Sequence, residues 1–437
     1  MKLPDHVLQL MNRLEEAGFS CYAVGGCVRD WLLGLQPHDY DLCTAARPEQ
    51  MKALFAGYPQ VLAGEKHGTV GIITGGGVVE ITTYRCEGDY RDNRHPERVE
   101  FVTAIEEDLA RRDYTVNAMA YSPSRGLCDP FGGKADLESR SLRAVGDPYA
   151  RFREDSLRIL RGVRFSVRFR LTPEKETLRA MTELAPLMEN LARERVFDEL
   201  CKLLPLVEAA DLLTYSPILT QVIPELKSAV GFQQCNPHHA YDIYTHIAHV
   251  VEAVPGELPL RWAALLHDAG KAATFTLDAR GTGHFLGHAK VSAEMANEIL
   301  HRLKAPNQLR QQVVQLIELH MTRLEPEKKT IRRWLSRLGP ETLEQLLQLQ
   351  EGDMGSKGTG IPAEMVQFSQ IRALVREIQT ENACLSIRDL AVNGHDLMAL
   401  GLQGQAIGRA LEQLLQLVLD DQLPNEKEAL LQALQQP

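Results

Sequence analysis

The fold of the N-terminal region is decided by GGCVRDWLLG (residues 25–34) and by the HDYDL that follows it (38–42). The apolar run CYAV (21–24) stops at two glycines, a pattern that predicts a strand, a tight turn and a helix that begins at once. Glycines let the backbone approach a phosphate closely, and the first turn of a helix offers unpaired N–H groups. Arg29 lies one turn into this helix, where it can bind the same anion. We therefore predict a phosphate-binding corner, with a plain tight turn as the alternative.

Two aspartates follow this helix, separated by one residue. The segment HDYDLCT (38–44) alternates in polarity and predicts an extended strand, on which Asp39 and Asp41 project from the same face. Two like charges held that close are costly unless a cation lies between them. Carboxylate oxygens are ligands that Mg²⁺ prefers, and bound Mg²⁺ can bridge phosphate oxygens. The pattern predicts a magnesium site, and a solvated loop is the alternative.

A third acid lies on a later strand. TVGIIT (69–74), three glycines and VVEITTYR (78–85) predict a hairpin, and Glu80 stands between apolar neighbours on its second strand. An acid in that position is costly unless it faces solvent or a metal ion. A glycine turn, a helix, paired aspartates and a third acid follow one another in the order that a two-metal nucleotidyltransferase requires. For Glu80 alone, an exposed strand face is the alternative.

The segment RRDYTVNAMA (111–120) supplies basic and amide side chains. Its two adjacent arginines predict the opening of a helix, on which Asp113 and Asn117 share a face at i, i+4. Together with Arg112, these two residues are candidates for binding a triphosphate and a ribose. A capped helix with a charged first turn is the alternative.

The stretch 143–170 carries eight arginines against three acids. Within it, EDSLR (154–158) predicts a helix on which Asp155 and Arg158 are neighbours at i, i+3. Cytosine and adenine present an amino donor beside a ring-nitrogen acceptor, whereas guanine and uracil present a carbonyl acceptor beside an N–H donor. Since Asp accepts and Arg donates, the pair suits C and A, and buried polar groups left unpaired by the wrong base discriminate strongly. A plain helical ion pair is the alternative.

A histidine and aspartate pattern runs through residues 238–353 on a helical background. It begins with His246 and His249 on one predicted helix and continues with His267-Asp268, which closes the helix of RWAALLHDAGK. The pattern ends with His288, His320 and Asp353, the last in a predicted Gly-rich loop, EGDMGSKGTGIP (351–362).

An H…HD…D series of this kind resembles the HD phosphohydrolase superfamily. The resemblance implies a metal site formed by His246, His267, Asp268 and Asp353, to which His288 and His320 could add. Imidazole and carboxylate ligands suit a transition metal such as Mn²⁺, Ni²⁺, Co²⁺ or Fe²⁺. Hydrolysis of phosphate esters is the activity that the resemblance implies. The alternative is that these histidines and aspartates contribute only to the packing of the domain and bind no metal.

The composition limits the class of protein. The chain has 437 residues, a formal net charge of −10, 44% hydrophobic and 24% charged residues, which is typical of a globular protein of several domains. The negative balance excludes a uniformly basic nucleic-acid coat, but not a local basic patch. Eight cysteines without a CxxC pair indicate reduced thiols in the cytoplasm rather than a disulfide framework. We see no signal peptide and no apolar run of ~18 residues, so no membrane association is expected.

Five ordered motifs, dense between residues 20 and 205, resemble the class II tRNA nucleotidyltransferase/poly(A) polymerase family, most closely the bacterial CCA-adding enzymes. They are GGCVRDWLLG…HDYDL, RRDYTVNAMAY, DPFGGKADL, RAVGDP…RFREDSLRILRGVRF and ERVFDELCKLL. A looser match continues to the end of the chain.

The resemblance implies addition of C, C and A to the 3′ end of tRNA from CTP and ATP, without a nucleic-acid template and with release of pyrophosphate. It implies that Asp39, Asp41 and Glu80 are catalytic and that Asp39 and Asp41 bind Mg²⁺. The nucleotide contacts that it implies are Gly25, Gly26, Arg29, Arg112, Asp113, Asn117, Glu154, Asp155, Arg158 and Arg161.

Other activities stay open at this point. The segment DYRDNRHP (89–96) resembles the flexible loop of the full CCA-adding branch, which favours CCA addition over A addition or poly(A) synthesis. A metal phosphohydrolase whose head only docks RNA is an alternative from another class, and a non-catalytic RNA-binding scaffold is a further one.

We predict a multidomain α+β protein with a small mixed α/β head of the polymerase-β type, followed by helical parts. The predicted domains are a nucleotidyltransferase head (1–140), a helical neck with the base-selecting helix and an RNA-binding segment (141–230), an HD-type metal domain (231–360) and a helical, tRNA-binding tail (361–437).

Overall fold

In the computed structural model, the described residues are 1–87, 99–359, 365–381 and 383–435. The chain divides into two units by its internal contacts. The first unit is Met1–Leu206 with Thr214–Pro224, and the second unit is Val207–Leu213 with Glu225–Pro437. The finer division into four domains stays a prediction, and the segment 89–96 lies outside the described residues.

The strands of the chain are short. They are β1 (Cys21–Val24), β2 (Leu42–Thr44), β3 (Gln60–Val61), β4 (Thr69–Thr74), β5 (Gly77–Thr83), β6 (Arg85–Glu87), β7 (Val99–Phe101), β8 (Ala120–Ser122), β9 (Gly126–Cys128), β10 (Ser141–Leu142), β11 (Thr172–Pro173), β12 (Thr276–Leu277) and β13 (Gly283–His284).

Seven of these strands form one mixed sheet in the order β3-β4-β5-β2-β1-β8-β9. The β4–β5 hairpin forms as predicted, with Ile73 opposite Val78. The interior strand β1, between β2 and β8, is buried along its whole length. It runs antiparallel to β2 with Ala23 opposite Leu42, and this register places the turn after β1 beside Asp41.

Helices account for most of the rest of the first unit. Up to residue 224 the helices are α1 (Asp5–Glu16), α2 (Gly26–Leu32), α3 (Pro48–Leu54), α4 (Ile105–Ala110), α5 (Gly133–Glu138), α6 (Pro148–Glu154), α7 (Leu157–Phe169), α8 (Lys175–Leu184), α9 (Arg193–Leu203), α10 (Ala209–Thr214) and α11 (Ser216–Val222), and all of α10 except Thr214 belongs to the second unit. Helix α7 lies deep in the first unit, because eleven of its thirteen residues are buried.

The second unit is almost entirely helical. Its helices are α12 (Ile243–Ala253), α13 (Leu258–Leu266), α14 (Lys271–Thr274), α15 (His288–Arg302), α16 (Asn307–Leu319), α17 (Lys328–Gly355), α18 (Val366–Thr380), α19 (Gly394–Ala399), α20 (Gln405–Leu419) and α21 (Lys427–Ala433). The predicted α+β architecture is therefore confirmed, with a sheet in the N-terminal part and helices after it.

Two local predictions are wrong. The strand expected over residues 38–44 covers only Leu42–Thr44, because these three side chains are buried whereas His38, Asp39 and Asp41 are exposed and gain nothing from joining the sheet. The Gly-rich loop expected over 351–362 begins later, because α17 continues to Gly355. Burial of Leu346, Leu347 and Leu349 along this helix outweighs the low helix propensity of its glycines.

Candidate functional site

A pocket of about 370 Å³ opens in the first unit. Six arginines and three aspartates line it, beside two glycines, an asparagine and a phenylalanine. An excess of positive charge in a concave site favours a polyanionic ligand. The lining residues are Gly25, Gly26, Arg29, Asp41, Arg111, Arg112, Asp113, Asn117, Asp155, Arg158, Arg161, Phe165 and Arg195.

The turn after β1 brings the chain into this pocket. Gly25 has φ +69°, a left-handed conformation that side chains disfavour. A Cβ added there would lie 2.8 Å from Arg112 Nη1, too close for van der Waals contact. The Gly25 N–H donates to the carbonyl of Met119 at 3.1 Å, which connects the turn to the segment that precedes β8. Glycine therefore suits the positive φ of this turn, and any added side chain would force the Arg112 guanidinium to move.

Asp41 lies beside this turn. Its carbonyl accepts the N–H of Val24 at 3.0 Å, which fixes its backbone against the end of β1. Desolvation in the pocket raises the pKa of Asp41, the carboxylates of Glu80 and Asp39 raise it further, and Arg112 opposes the rise. The Asp41 carboxylate is thus destabilised by the two other acids that the sequence singled out. A divalent cation would relieve this repulsion, so the chemistry of these side chains suits Mg²⁺, and the magnesium site itself stays a prediction.

Asp39 and Glu80 do not line the pocket itself. Both side chains are exposed, and Glu80 stands on β5 opposite Gly71 of β4. The sequence predicts thirteen catalytic or nucleotide-binding residues in the first unit, and ten of them line this pocket. The three that do not are Asp39, Glu80 and Glu154.

A buried chain of polar side chains connects three elements around the pocket. Arg29 on α2 donates through Nη1 to Asn117 Oδ1, and its guanidinium lies over the Phe169 ring at 4.2 Å. Asn117 Nδ2 in turn donates to Asp113 Oδ1 at 3.0 Å. Asp113 Oδ2 accepts from Arg161 Nε at 2.8 Å. Every residue in this hydrogen-bonded series carries a charge or an amide. The series therefore positions two cationic side chains, Arg29 of α2 and Arg161 of α7, on one wall of the pocket.

The partners of Asp113 in this hydrogen-bonded series determine the pKa of its carboxyl group. Burial opposes its ionisation, but Arg161 and the amide of Asn117 outweigh burial and lower the pKa of Asp113 to about 2. Desolvation, in contrast, lowers the pKa of the Arg29 guanidinium, although Asp30 opposes that fall. Asp113 is therefore ionised at neutral pH and anchors Arg161.

The prediction that Arg111 and Arg112 open a helix is wrong. They follow α4, which ends at Ala110, and cations there interact favourably with the carbonyl end of the helix. Asp113 and Asn117 nevertheless meet as expected, because Thr115–Asn117 forms a 3₁₀ turn rather than part of an α-helix.

The prediction that Asp155 and Arg158 lie on one helix is also wrong, and the alternative, a helical ion pair between them, is not among the described contacts. Asp155 is extended, with φ −143°, and stands between α6 and α7 instead of inside a helix. Its Oδ1 caps the N–H of Leu157 at 3.1 Å, while its Oδ2 accepts from Arg195 Nη2 at 2.7 Å. Arg158 donates instead to Glu154 Oε2 at 2.6 Å. Both Asp155 and Arg158 still line the pocket.

Sequence reasoning assigned no role to three lining residues, Arg111, Phe165 and Arg195. Arg111 and Phe165 lie within motifs in which only neighbouring residues are predicted to contact the nucleotide. Arg195 lies on α9, forty residues from its partner Asp155, and no spacing rule connects residues so far apart. Only the packing of α9 against α7 brings this pair together.

The second unit contains a buried cluster of histidines and aspartates. His246 Nε2 lies 2.9 Å from Asp353 Oδ1 and 3.4 Å from Asp268 Oδ2, and His267 Nε2 lies 3.2 Å from the same Asp268 oxygen. These four residues come from α12, the end of α13 and the last turn of α17, and all are buried. His249, on the same helix as His246, is not in the cluster and instead contacts the ring of Tyr241.

The cluster leaves buried polar atoms without a hydrogen-bond partner. In the described part of the chain these atoms are His267 Nε2, Asp268 Oδ1, His288 Nε2 and His320 Nε2, whereas Asp268 Oδ2 lies 2.7 Å from the Lys271 ammonium. An unsatisfied buried polar atom costs about 1–3 kcal/mol, so several in one place indicate a missing ligand. The donor set of imidazoles and carboxylates fits a transition-metal ion.

Three family models match the chain. The model of the poly A polymerase head domain matches residues 21–143, that of a probable RNA and SrmB- binding site of polymerase A matches 170–230, and that of tRNA nucleotidyltransferase domain 2 matches 280–434. The CCA-adding enzyme of Levilactobacillus brevis is 35% identical over 431 residues, which cover 97% of this chain and 96% of that protein.

The chain belongs to the CCA-adding enzyme family. A second member, from Streptococcus mutans, is 33% identical over 98% of this chain and 96% of its own length. The crystal structure of the Bacillus stearothermophilus CCA-adding enzyme in complex with CTP is 27% identical and has a TM-score of 0.73, with 100% of this chain and 98% of that chain covered. The Thermotoga maritima CCA-adding enzyme complexed with tRNA shares the fold, with a TM-score of 0.62 at 21% identity over 99% of this chain and 96% of that chain.

The helices do not indicate a membrane-spanning segment. None in the described part of the chain is both long and apolar enough to cross a bilayer.

Proposed function

We propose that this chain is a template-independent tRNA nucleotidyltransferase that adds or repairs the 3′-terminal CCA of tRNA, using CTP and ATP and releasing pyrophosphate in the cytoplasm. The observation that carries the proposal is the arginine-lined pocket of the first unit, into which the glycine turn and Asp41 project. Family membership over almost the whole chain supports the substrates.

In the proposed reaction, the 3′-hydroxyl of tRNA attacks the α-phosphate of CTP or ATP. The new ester bond forms as the bond to the β-phosphate breaks, and the electron pair leaves with pyrophosphate. Arg112 and Arg29, on either side of the glycine turn, would hold the triphosphate and stabilise the charge that develops on it. Arg161 would support the ribose side through its bond to Asp113.

Asp39, Asp41 and Glu80 would hold Mg²⁺, as the mutual repulsion that raises the pKa of Asp41 suits a cation. When bound, Mg²⁺ neutralises charge on the triphosphate and lowers the cost of ionising the attacking hydroxyl. The family implies dependence on a divalent metal, and Mg²⁺ is our proposal for its identity.

Base choice would rest on Asp155 and Arg158. Asp155 accepts hydrogen bonds and Arg158 donates them, which matches the amino group and ring nitrogen of cytosine and adenine. Both are held by protein partners, Arg195 and Glu154, so their polar atoms are positioned before a base arrives. A preorganised pair rejects uracil and guanine because the wrong base leaves buried groups unpaired.

An extension assay tests this function. A tRNA trimmed of its CCA end is incubated with the protein and Mg²⁺ in the presence of CTP alone, ATP alone, or both. We expect two C residues from CTP alone and completion to CCA when ATP is added. Incorporation of A without C would instead identify an A-adding enzyme or a poly(A) polymerase.

We propose a second activity, metal-dependent hydrolysis of phosphate esters, for the histidine–aspartate cluster of the second unit. The buried atoms His267 Nε2 and Asp268 Oδ1 support it, since they have no hydrogen-bond partner among the described residues and are placed as metal ligands. His246 and Asp353 complete the donor set. The metal would be Mn²⁺, Ni²⁺, Co²⁺ or Fe²⁺.

Hydrolysis of p-nitrophenyl phosphate and bis-p-nitrophenyl phosphate tests this activity, with each metal added to chelator-treated protein. The Asp39→Ala, Asp41→Ala double variant serves as the test protein, so that the head cannot contribute. We expect release of nitrophenol that is lost in Asp268→Ala. Equal rates with and without Asp268 would refute the assignment.

A further inference from the structure

The arginines of the pocket in the first unit, which we call the nucleotide pocket, are held by carboxylates of the same unit. Three of these arginines each bind a carboxylate of their own, as described above. Arg111 and Arg112, in contrast, share one carboxylate, that of Asp108 on α4. A shared anchor fixes two positive charges of the pocket wall at once.

Both oxygens of Asp108 are occupied by protein donors. Oδ1 accepts from Arg111 Nε at 3.0 Å and from Nη2 at 2.8 Å, and Oδ2 accepts from Arg112 Nη2 at 3.2 Å. The backbone N–H of Arg85 also donates to Oδ1, at 3.3 Å, and Cys43 Sγ approaches Oδ2 at 3.7 Å. The Asp108 side chain is fully buried and does not line the pocket. It can therefore act on a ligand only through the two arginines.

The helix that carries Asp108 is itself fixed in the core of the first unit. Ile105 and Leu109 of α4 are buried in one hydrophobic cluster with Val24, the last residue of β1, and Cys43 of β2. These two strands flank the glycine turn of the pocket. The carboxylate is thus held on a packed support, which is what precise placement of a binding side chain requires.

An acid in the first turn of a helix has a simpler explanation, which is attraction to the positive end of the helix dipole. Glu106 and Glu107 of the same turn are exposed and fit that explanation. Asp108 does not, because burial of a carboxylate is costly and the dipole does not require it. Desolvation by burial raises the pKa of Asp108, but Arg111 and Arg112 outweigh this effect and lower it below the ordinary value. The ion pairs with the arginines therefore explain the buried charge.

Arg112 connects this anchor to the glycine turn. Its Nη2 is held by Asp108 and also lies 3.6 Å from Cys43 Sγ. Its Nη1, at the other end of the guanidinium, lies beside Gly25, where an added Cβ would be only 2.8 Å away. Anchoring one end of the guanidinium directs the other end to the corner at which the sequence predicts a phosphate.

We propose that Asp108 is a positioning residue for the triphosphate of the incoming nucleotide and that it acts by holding Arg111 and Arg112 in their binding orientation. The inference deepens the nucleotidyltransferase activity proposed above and rests on it. Without the charge of Asp108, two adjacent guanidiniums would repel each other and would have to be ordered by the ligand, which weakens binding. The triphosphate is common to CTP and ATP, so both nucleotides should be affected alike.

The side of the pocket that is proposed to select the base should not depend on Asp108. Arg158 Nη2 donates to the backbone carbonyl of Arg111 at 2.9 Å, and Arg158 Nη1 donates to Glu154 Oε2 at 2.6 Å. Neither bond involves the Asp108 carboxylate. Loss of its charge should therefore leave the ratio of kcat/KM for CTP over UTP unchanged.

Steady-state incorporation on trimmed tRNA, with inorganic tripolyphosphate as a competitor of CTP at fixed free Mg²⁺, tests this role. Tripolyphosphate carries the phosphates without a base or a ribose, so its Ki reports on the phosphate-binding side chains alone. For Asp108→Asn we expect the KM for CTP and ATP and the Ki of tripolyphosphate each to rise about tenfold, with kcat and base selectivity little changed. An unchanged KM and Ki in this variant would overturn the proposal.

Two control variants separate positioning from stability. Glu107→Gln removes an exposed acid from the same helical turn. Asp136→Asn removes a buried carboxylate that accepts from Thr115 Oγ1 at 2.6 Å and does not line the pocket. Both controls should keep the Ki of tripolyphosphate within about twofold of the unmodified protein. A rise in Asp136→Asn as large as that in Asp108→Asn would show a merely structural role.

A charge-balanced variant covers the case in which Asp108→Asn alone does not fold. Asp108→Asn combined with Arg111→Gln removes one charge of each sign, so no unbalanced pair of guanidiniums remains. Compared with Arg111→Gln alone, the combined variant should still raise the Ki of tripolyphosphate about fivefold, because Arg112 has lost its anchor. Equal Ki values in these two proteins would overturn the proposal.

Failure of the proposed function would give a different result. No incorporation by the unmodified protein would refute that function. Calorimetric titration of tripolyphosphate into the same variants would then still decide the role of Asp108, since it measures binding without turnover. Equal affinities of Asp108→Asn and the unmodified protein in that titration would overturn the positioning role.

Discussion

Arg195 on α9 clamps Asp155 across forty residues of sequence, with Nη2 at 2.7 Å from Oδ2 and Nη1 at 3.4 Å from Oδ1. Arg158, three residues from Asp155, pairs with Glu154 instead. The acceptor and the donor proposed to recognise the base are therefore anchored by separate partners. Each can point polar atoms into the pocket without first breaking a bond to the other.

Replacing Arg195 by alanine should remove the hydrogen bonds that hold the Asp155 carboxylate in place. We expect the KM for CTP and ATP to rise about tenfold, since a charge-assisted hydrogen bond contributes roughly 1.5–3 kcal/mol. Steady-state incorporation on trimmed tRNA measures the effect. Arg193→Ala is the control, because Arg193 is on the same helix, bonds to the Glu189 carbonyl and does not line the pocket. Equal KM values for the two variants would contradict the role of Arg195.

Replacing Arg158 by alanine should relax the choice of base. The donor to cytosine and adenine is lost, so the ratio of kcat/KM for CTP over UTP should fall about 10–100-fold. Competition assays with CTP, ATP, UTP and GTP provide the measurement. Arg153→Ala, an exposed arginine on α6, should leave the ratio unchanged. Selectivity that survives in Arg158→Ala would defeat the assignment.

Replacing Asp39 or Asp41 by alanine should abolish incorporation. We expect a loss of about 10³-fold or more, because the triphosphate charge is no longer neutralised by a bound cation. Binding of tRNA, measured by filter retention, should stay largely intact. Glu49→Ala, an exposed acid on α3, is the control for a simple change in net charge. Substantial incorporation by the Asp39→Ala, Asp41→Ala double variant is the result that would count against the metal site.

Gly25→Ala and Gly34→Ala form a matched pair around α2. Both glycines have positive φ, +69° and +73°, so each alanine should cost about 1 kcal/mol of stability in thermal or urea unfolding. Only at Gly25 does the added Cβ meet Arg112 Nη1, at 2.8 Å, whereas nothing lies within 4 Å at Gly34. Gly25→Ala should therefore lose activity beyond its loss of stability. Equal activity in both variants would show that Arg112 adjusts freely.

Asp113→Asn should destabilise the first unit in a pH-dependent way. The folded pKa of about 2 lies below the ordinary value, so the stabilisation is present above about pH 4 and is lost as the pH falls toward 2. We expect a difference in unfolding free energy of about 2 kcal/mol at pH 6 that shrinks by about half at pH 3. Urea unfolding of both proteins at the two pH values provides the measurement. A difference that is constant with pH would rule out the charge of Asp113 as its source.

Local patterns predicted most of the secondary structure near the site. The β1 strand, the glycine turn and α2 follow directly from residues that are close in sequence, as does the β4–β5 hairpin. Errors occurred where burial rather than propensity decided: β2 begins only at Leu42, and α17 continues past Gly352 to Gly355. Burial depends on neighbours that are distant in sequence, so a local pattern does not contain it.

The sequence by itself determined which chemical groups are available, because paired acids, arginine-rich segments and histidines with aspartates are visible in its order. Only the tertiary structure decided which groups meet. It connected Arg195 to Asp155, placed Asp108 behind two arginines, and turned one oxygen of Asp268 toward His288. The physical reason is that hydrogen bonds and metal ligation act over a few ångströms, and the packing of helices, not spacing along the chain, sets those distances.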